Sequence, residues 1–211
     1  MRPQHHPDAA IVVDYGIGSL DRNARLVVAG HLGACEHCRR ILAETEEIGG
    51  ALLDALPPAR LKPDALALAL ARIERPEPEA PSYVAPIDWI AVPPDVIEAV
   101  RRRRRWAAPG VWVAPVSRGP GKSRSYLLGV AAGMSVPLHT HRGSEMICVL
   151  KGSYQDGDAV HGPGDFAWND ETVEHRPRST PDGECVCLIS AEGALVPRDW
   201  VGRVFQPFVG I

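Results

Sequence analysis

No apolar run in this 211-residue sequence approaches the roughly 18 to 20 residues that cross a bilayer. The start, Met1-Arg2-Pro3-Gln4-His5-His6-Pro7, also lacks the apolar region of a signal peptide. The expectation is a cytoplasmic chain with no membrane partner. Basic excess is missing too: 23 Lys and Arg stand against 26 Asp and Glu, a formal net charge of -3, which disfavours nucleic-acid binding. No repeat of 20 to 50 residues is visible. Cysteine is sparse and odd in number, five in all: a pair at Cys35 and Cys38, a lone Cys148, and a pair at Cys185 and Cys187. In a reducing compartment this favours metal or thiol chemistry over a disulfide scaffold. With 45% hydrophobic and 23% charged residues, the chain is neither a fibre nor a disordered tail.

Two grammars divide the chain. From 7 to 75 the apolar positions, among them Ile11, Val12, Tyr15, Leu26, Val27, Ile41, Leu42, Ile48 and Leu52, recur at three- and four-residue intervals, which predicts helices. Gly16-Ile17-Gly18-Ser19 ends a first, Gly33 interrupts a second, Pro57-Pro58 stops a third begun near Cys35, and a fourth runs from about Pro63 to Arg75. Three prolines in Pro76-Glu77-Pro78-Glu79-Ala80-Pro81 forbid helix and predict an extended spacer. Beyond it come short apolar runs at 125–130, 145–150 and 185–189, bounded by Gly, Pro and Asp. Turns at Lys151-Gly152, Asp156-Gly157 and Pro163-Gly164 space them as in an antiparallel sandwich or barrel.

His31, Cys35 and Cys38 are spaced by four and three residues, offsets that bring them to one face on a helical path. Two thiolates and an imidazole suit tetrahedral Zn²⁺, and a closed structural site needs a fourth ligand. His37 would point away from Cys38 on a helix. His6 is the choice for that ligand, with His5 the alternative, because both precede the first helix and can fold back. This segment, about residues 5 to 75, resembles the zinc-binding anti-sigma factors, whose signature is an upstream His and then His-x3-Cys-x2-Cys in a small four-helix domain. The resemblance implies binding of an extracytoplasmic-function type sigma factor.

A second constellation lies at Gly133, His139, His141, Glu145 and Gly152, spelling G-x5-H-x-H-x3-E-x6-G. His139 and His141 project from one face of a strand. A turn at Arg142-Gly143-Ser144 should bring Glu145 back on the neighbouring strand, and His175 completes the set. The pattern resembles the first cupin motif at every signature position. The second cupin motif is kept at Gly164 and His175 but departs from it at Asp170, Thr172 and Ser179, where Pro, Gly and Asn are usual. A His3Glu set accepts Zn²⁺, Fe²⁺, Mn²⁺ or Ni²⁺, so ligand chemistry does not choose the metal.

Over nearly its whole length the sequence resembles the ChrR-type anti-sigma factors. The resemblance implies an α+β multidomain chain: a four-helix zinc domain over 1–75, a Pro-rich linker over 76–85 and a C-terminal antiparallel β-barrel of cupin type over 86–211. It implies two Zn²⁺ per chain, at His6, His31, Cys35 and Cys38 and at His139, His141, Glu145 and His175. It also implies a non-enzymatic role, in which a sigma factor is held inactive until singlet oxygen or organic peroxide releases it. The rival reading is a metal-dependent cupin dioxygenase or isomerase with a zinc-bound helical appendage.

Other residues carry blander expectations. Cys185 and Cys187 share a strand face, where packing is favoured over redox sensing because a bond between them would need distortion. Cys148 is a core residue, and His161, without a partner at ligand spacing, is a surface histidine. Arg101 to Arg105 follow a helix-like stretch at 95–100 and complement its C-terminal dipole, with no direct nucleic-acid contact.

Overall fold

Each of the first three helices starts on a side chain that caps it. In a computed structural model, which describes residues 2–74, 90 and 92–198, they are α1 (Ala9–Ile17), α2 (Arg22–Ala34) and α3 (Glu36–Asp54). Asp8 accepts from the Ala10 N–H and Asp21 from the Ala24 N–H, both at 2.8 Å, while Cys35 Sγ accepts from the Cys38 N–H at 3.5 Å. Gly18, in the left-handed conformation, closes α1. All four helices predicted before residue 75 are found, with α4 (Ala65–Ile73) starting two residues after Pro63. None of the α4 residues is buried. The predicted Pro-rich linker lies outside the described residues. After it comes α5 (Pro94–Arg103), whose last turn carries Arg101, Arg102 and Arg103. Arg103 donates to the Val116 carbonyl and Arg102 pairs with Glu98 one turn earlier on the helix.

The strands are β1 (Arg105–Ala108), β2 (Val111–Arg118), β3 (Arg124–Val130), β4 (His139–His141), β5 (Glu145–Lys151), β6 (Tyr154–Asp156), β7 (Ala159–His161), β8 (Phe166–Asn169), β9 (Arg178–Ser179), β10 (Cys185–Ala191) and β11 (Leu195–Pro197). Six of them form an antiparallel sheet in the order β1-β2-β3-β10-β5-β8. A second layer is made by β11-β4 and β7-β6-β9, linked by bridges from Ser135 to Arg178 and from His139 to His175.

The central strands β3, β5 and β10 of the large sheet are buried on both faces, which is why they read as apolar runs rather than as alternation. Along β10, Cys185, Cys187, Ile189 and Ala191 join Tyr126, Ile147, Val149 and Tyr154 in a core between the layers. Val186 and Leu188 point the other way, into a core shared with Cys148, Val27, Val28 and Leu32. The helical segment is therefore packed on the back of the cupin sheet. Val27 and Val28 are fully buried there, and such burial stabilises by roughly 1.5–3 kcal/mol per side chain. A polar clamp adds direction: the fully buried Asn23 donates to Ser123 Oγ at 2.8 Å and accepts from Ser125 Oγ at 2.9 Å.

Candidate metal centres

The first centre forms where α2 meets α3. The chain does not run helically from His31 to Cys38 as the spacing predicts, because Cys35 is extended (φ -111°, ψ 108°) and separates the two helices. Convergence comes from the corner instead. His6 Nδ1 lies 3.3 Å from Cys35 Sγ and 3.6 Å from Cys38 Sγ, and His31 Nε2 lies 3.2 Å from Cys38 Sγ. These separations match the edges of a tetrahedron drawn around bonds of about 2.0 to 2.3 Å. Between the two open candidates the structure brings His6 to the thiols, while His5 turns elsewhere.

His31 is completely buried, and its Nδ1 donates to the Gly164 carbonyl at 2.7 Å, which leaves the Nε2 lone pair facing the sulfurs. Burial lowers the His31 pKa and keeps the ring neutral. Burial and the neighbouring Cys35 push Cys38 up to about 12, so the thiolate form needs a positive charge close by. A divalent cation fits this donor set.

In the second centre four buried side chains, His139, His141, Glu145 and His175, converge between the two layers. His175 Nε2 is 3.0 Å from His139 Nε2 and 3.1 Å from His141 Nε2, and Glu145 Oε2 is 3.6 Å from His141 Nε2. Glu145 is not on the strand beside His141: β4 pairs with β11 and β5 with β10 and β8, so the turn at 142–144 crosses between layers. The carboxylate thus faces the imidazoles across the barrel. Burial pushes Glu145 up to about 7, and burial with the neighbouring rings of His139 and His175 pulls His141 down to about 4. Three imidazoles, that of His141 held neutral, and a carboxylate that ionises near neutrality fit a divalent cation.

Four supporting groups escape sequence reasoning. The His139 Nδ1 donates to the Pro137 carbonyl at 2.7 Å, and the His175 Nδ1 contacts Asp156 Oδ2 at 2.5 Å. Tyr126 donates its hydroxyl to Glu145 Oε1 at 3.3 Å, and Asn169, opposite Glu145 in the β5-β8 register, hydrogen-bonds the same carboxylate. Asp156 is visible in the sequence only as a turn residue. The departures from the second cupin motif also find partners. Asp170 Oδ1 accepts from the Thr172 N–H at 2.9 Å and from its hydroxyl, making a side-chain turn. Ser179, buried, donates to the Gly183 carbonyl at 3.1 Å.

The other thiols are buried. Cys185 and Cys187 stand with sulfurs 3.7 Å apart, facing an apolar cavity of about 50 Å³ lined also by Leu128, Val136, Ile147, Tyr154 and Pro177. Cys148 is in the core. His161 is not a surface residue: it is half-buried, stacked on Tyr154 at 4.8 Å and 12°, with the His5 ring 4.2 Å away. Its partner is 156 positions earlier in the chain, beyond the reach of spacing.

Residues 95–195 match the family model described as a ChrR cupin-like domain. Along an alignment of 216 residues spanning all of both chains, the sequence is 32% identical to the anti-sigma-E factor ChrR of Cereibacter sphaeroides. This chain belongs to the ChrR anti-sigma factor family. Its structure superposes with a TM-score of 0.73 on a chain of the crystal structure of Rhodobacter sphaeroides SigE in complex with the anti-sigma ChrR. That match is 30% identical and covers 89% of this chain and 98% of the other. The ChrR likeness thus extends through the helices as well as the cupin, and it is an anti-sigma likeness rather than an enzyme's. No helix among the described residues is long and apolar enough to cross a membrane.

Proposed function

We propose that this ChrR-family chain is an anti-sigma factor that binds an extracytoplasmic-function type sigma factor in the cytoplasm and holds it inactive. The observation that carries the reading, beside full-length kinship to an anti-sigma factor, is the apolar surface of the helical segment. Among the described residues, nine of the fifteen exposed large apolar side chains, from Ile48 through Leu52, Leu56, Leu66 and Leu70 to Ile73, lie on the second half of α3, on α4 and between them. A concentration of this kind marks a protein–protein surface. Inhibition is then a matter of binding energy and geometry, with no bond made or broken.

Within this reading the chain divides into a helical zinc domain over 1–75, a linker over 76–85 and a cupin sensor over 86–211. One Zn²⁺ is held by His6, His31, Cys35 and Cys38. A second is held by His139, His141, Glu145 and His175. At the first centre the metal supplies a crosslink between the N-terminal segment, α2 and α3. The residues do the rest: His31 is aimed by Gly164, and Cys35 both caps α3 and offers its sulfur. In the cupin, Tyr126 and Asn169 orient Glu145 while Asp156 orients His175. Singlet oxygen or organic peroxide acts on the cupin, and the change loosens the sigma-binding helices through the α2–sheet contact.

The test is co-expression with extracytoplasmic-function sigma factors from the source genome and a promoter reporter. Leu52→Asp with Leu66→Asp should abolish repression and co-purification while leaving the melting temperature unchanged, because both side chains are already in water. Full repression by this variant would remove the surface from the proposal.

A further inference from the structure

We propose that His5, His161 and Asp165 form a third metal site, for a divalent transition-metal ion, at the seam between the N-terminal segment and the cupin. One ligand atom from each of the three lies within 4.8 Å of the other two. None of them belongs to the two centres already described. His5 Nδ1 faces Asp165 Oδ2 at 3.2 Å without hydrogen-bond geometry. His161 Nδ1 is likewise buried and has no hydrogen-bond partner. Two imidazole nitrogens withdrawn from water, on rings that each bring a nitrogen within 4.8 Å of one carboxylate, are groups whose burial is costly unless something with positive charge or a donor lies beside them.

The rest of the cluster is built to hold still. Asp165 is buried, and three backbone N–H groups grip it: Gln4 at 2.6 Å and His5 at 3.0 Å on Oδ1, Gly162 at 2.7 Å on Oδ2. Although burial alone would raise its pKa, those donors win and keep it below the usual carboxylate value. His161 is fixed by stacking on Tyr154, and burial lowers its pKa, so its ring stays neutral and able to coordinate. Two imidazoles and one carboxylate suit Zn²⁺, Fe²⁺, Co²⁺ or Ni²⁺ better than Mg²⁺ or Ca²⁺. Three protein ligands leave a position open, and both imidazoles are only half-buried, so this ion exchanges more readily than one held by four ligands.

The location gives the site a consequence. His5 precedes His6, and Asp165 follows Gly164, whose carbonyl aims His31. An ion held here fastens the N-terminal segment to the turn that supports the first centre. The Phe166 N–H already donates to the His5 carbonyl at 3.0 Å along the same seam. Loading of the third site therefore tightens the junction of helices and cupin according to the supply of free metal.

The experiment compares the full chain with His161→Phe, which keeps a ring on Tyr154, and with His5→Ala. Each protein is dialysed to equilibrium against micromolar Zn²⁺ and its metal content is measured. The wild-type chain should hold one equivalent more than either variant, with all three folded by circular dichroism. Co²⁺ added to the zinc-loaded wild-type chain should give visible d–d absorption without thiolate charge transfer, absent from His161→Phe. Amide exchange at residues 4 and 5 should slow when that equivalent binds. Equal metal content in wild type and His161→Phe would reduce the cluster to a His–Asp pair beside a stacked ring. An extra equivalent retained by both variants would place the ion elsewhere, and either result overturns the proposal.

Discussion

His31 Nδ1 donates to the Gly164 carbonyl at 2.7 Å across 133 residues of sequence. A buried candidate ligand of the proposed helical centre is thereby oriented by a turn of the cupin, so the two halves of the chain are joined at that imidazole and not only through an apolar face. Gly164 has φ 87°, and a Cβ there would approach Ala34 Cβ and Pro3 Cγ to 2.8 Å.

Gly164→Ala should therefore weaken the first centre without touching a ligand. The left-handed conformation strains any L side chain by about 1–3 kcal/mol, and the crowding pushes the turn away from Ala34. Denaturant unfolding should show a loss of about that size, and Co²⁺ affinity at the thiolate site should fall. Unchanged affinity would mean that His31 needs no help from the cupin.

Cys35→Ser separates the two jobs of that residue. A serine oxygen caps a helix as well as a thiolate does, so α3 should still start at residue 36, but a soft ligand is lost. The variant should lose one equivalent of zinc and at least tenfold in sigma-factor affinity. Wild-type affinity in a zinc-deficient variant would show that the metal does not shape the binding surface.

The two centres should answer differently to pH after metal is stripped with a chelator. Glu145 rises from 4.5 to about 7, so between those values the folded chain holds a proton the unfolded chain has released, and stability falls as pH rises through the window. His141, lowered from 6.5 to about 4, works in the opposite sense: its contribution is complete above 6.5 and is lost as pH falls toward 4. Metal uptake in the cupin must displace the Glu145 proton below about pH 7. Its apparent affinity should rise up to about tenfold per pH unit until then and level off. The thiolate site, with Cys38 pushed up to about 12, should keep gaining above pH 7. Competition titrations from pH 5.5 to 8.5 that give parallel curves for the two centres would contradict this assignment.

His139→Ala and His141→Ala each remove a proposed cupin ligand and leave α1, α3 and α4 alone. In the reporter strain both should repress normally and fail to respond to singlet oxygen or organic peroxide. A fragment of residues 1–80 should also repress without responding. It should unfold more easily than the full chain, since Val27, Val28 and Leu32 lose the sheet that covers them. A full oxidant response from either would place the sensor outside the cupin.

The sequence alone determined the helices, through three-and-four spacing broken by Gly and Pro, and the strands, through short apolar runs cut by Gly, Pro and Asp. It also marked His31, Cys35 and Cys38 and then His139, His141 and Glu145 as candidate ligands, because ligand types at offsets of two to four are rare and local geometry constrains them. What only the tertiary structure decided lies at long separation. The choice of His6 over His5 follows from where the N-terminal segment docks on Asp165 and Phe166. Glu145 reaches His141 from the opposite layer because β4 and β5 enter different sheets, and Asp156 meets His175 only when β6 and the 175 bridge are in place. The apolar repeat at Ile48 to Ile73 predicts a helix equally well whether its face meets a core or water. Spacing reports what backbone geometry fixes within a turn or two, whereas these pairings depend on how α2 lies across the sheet, and that is set by packing summed over the whole chain.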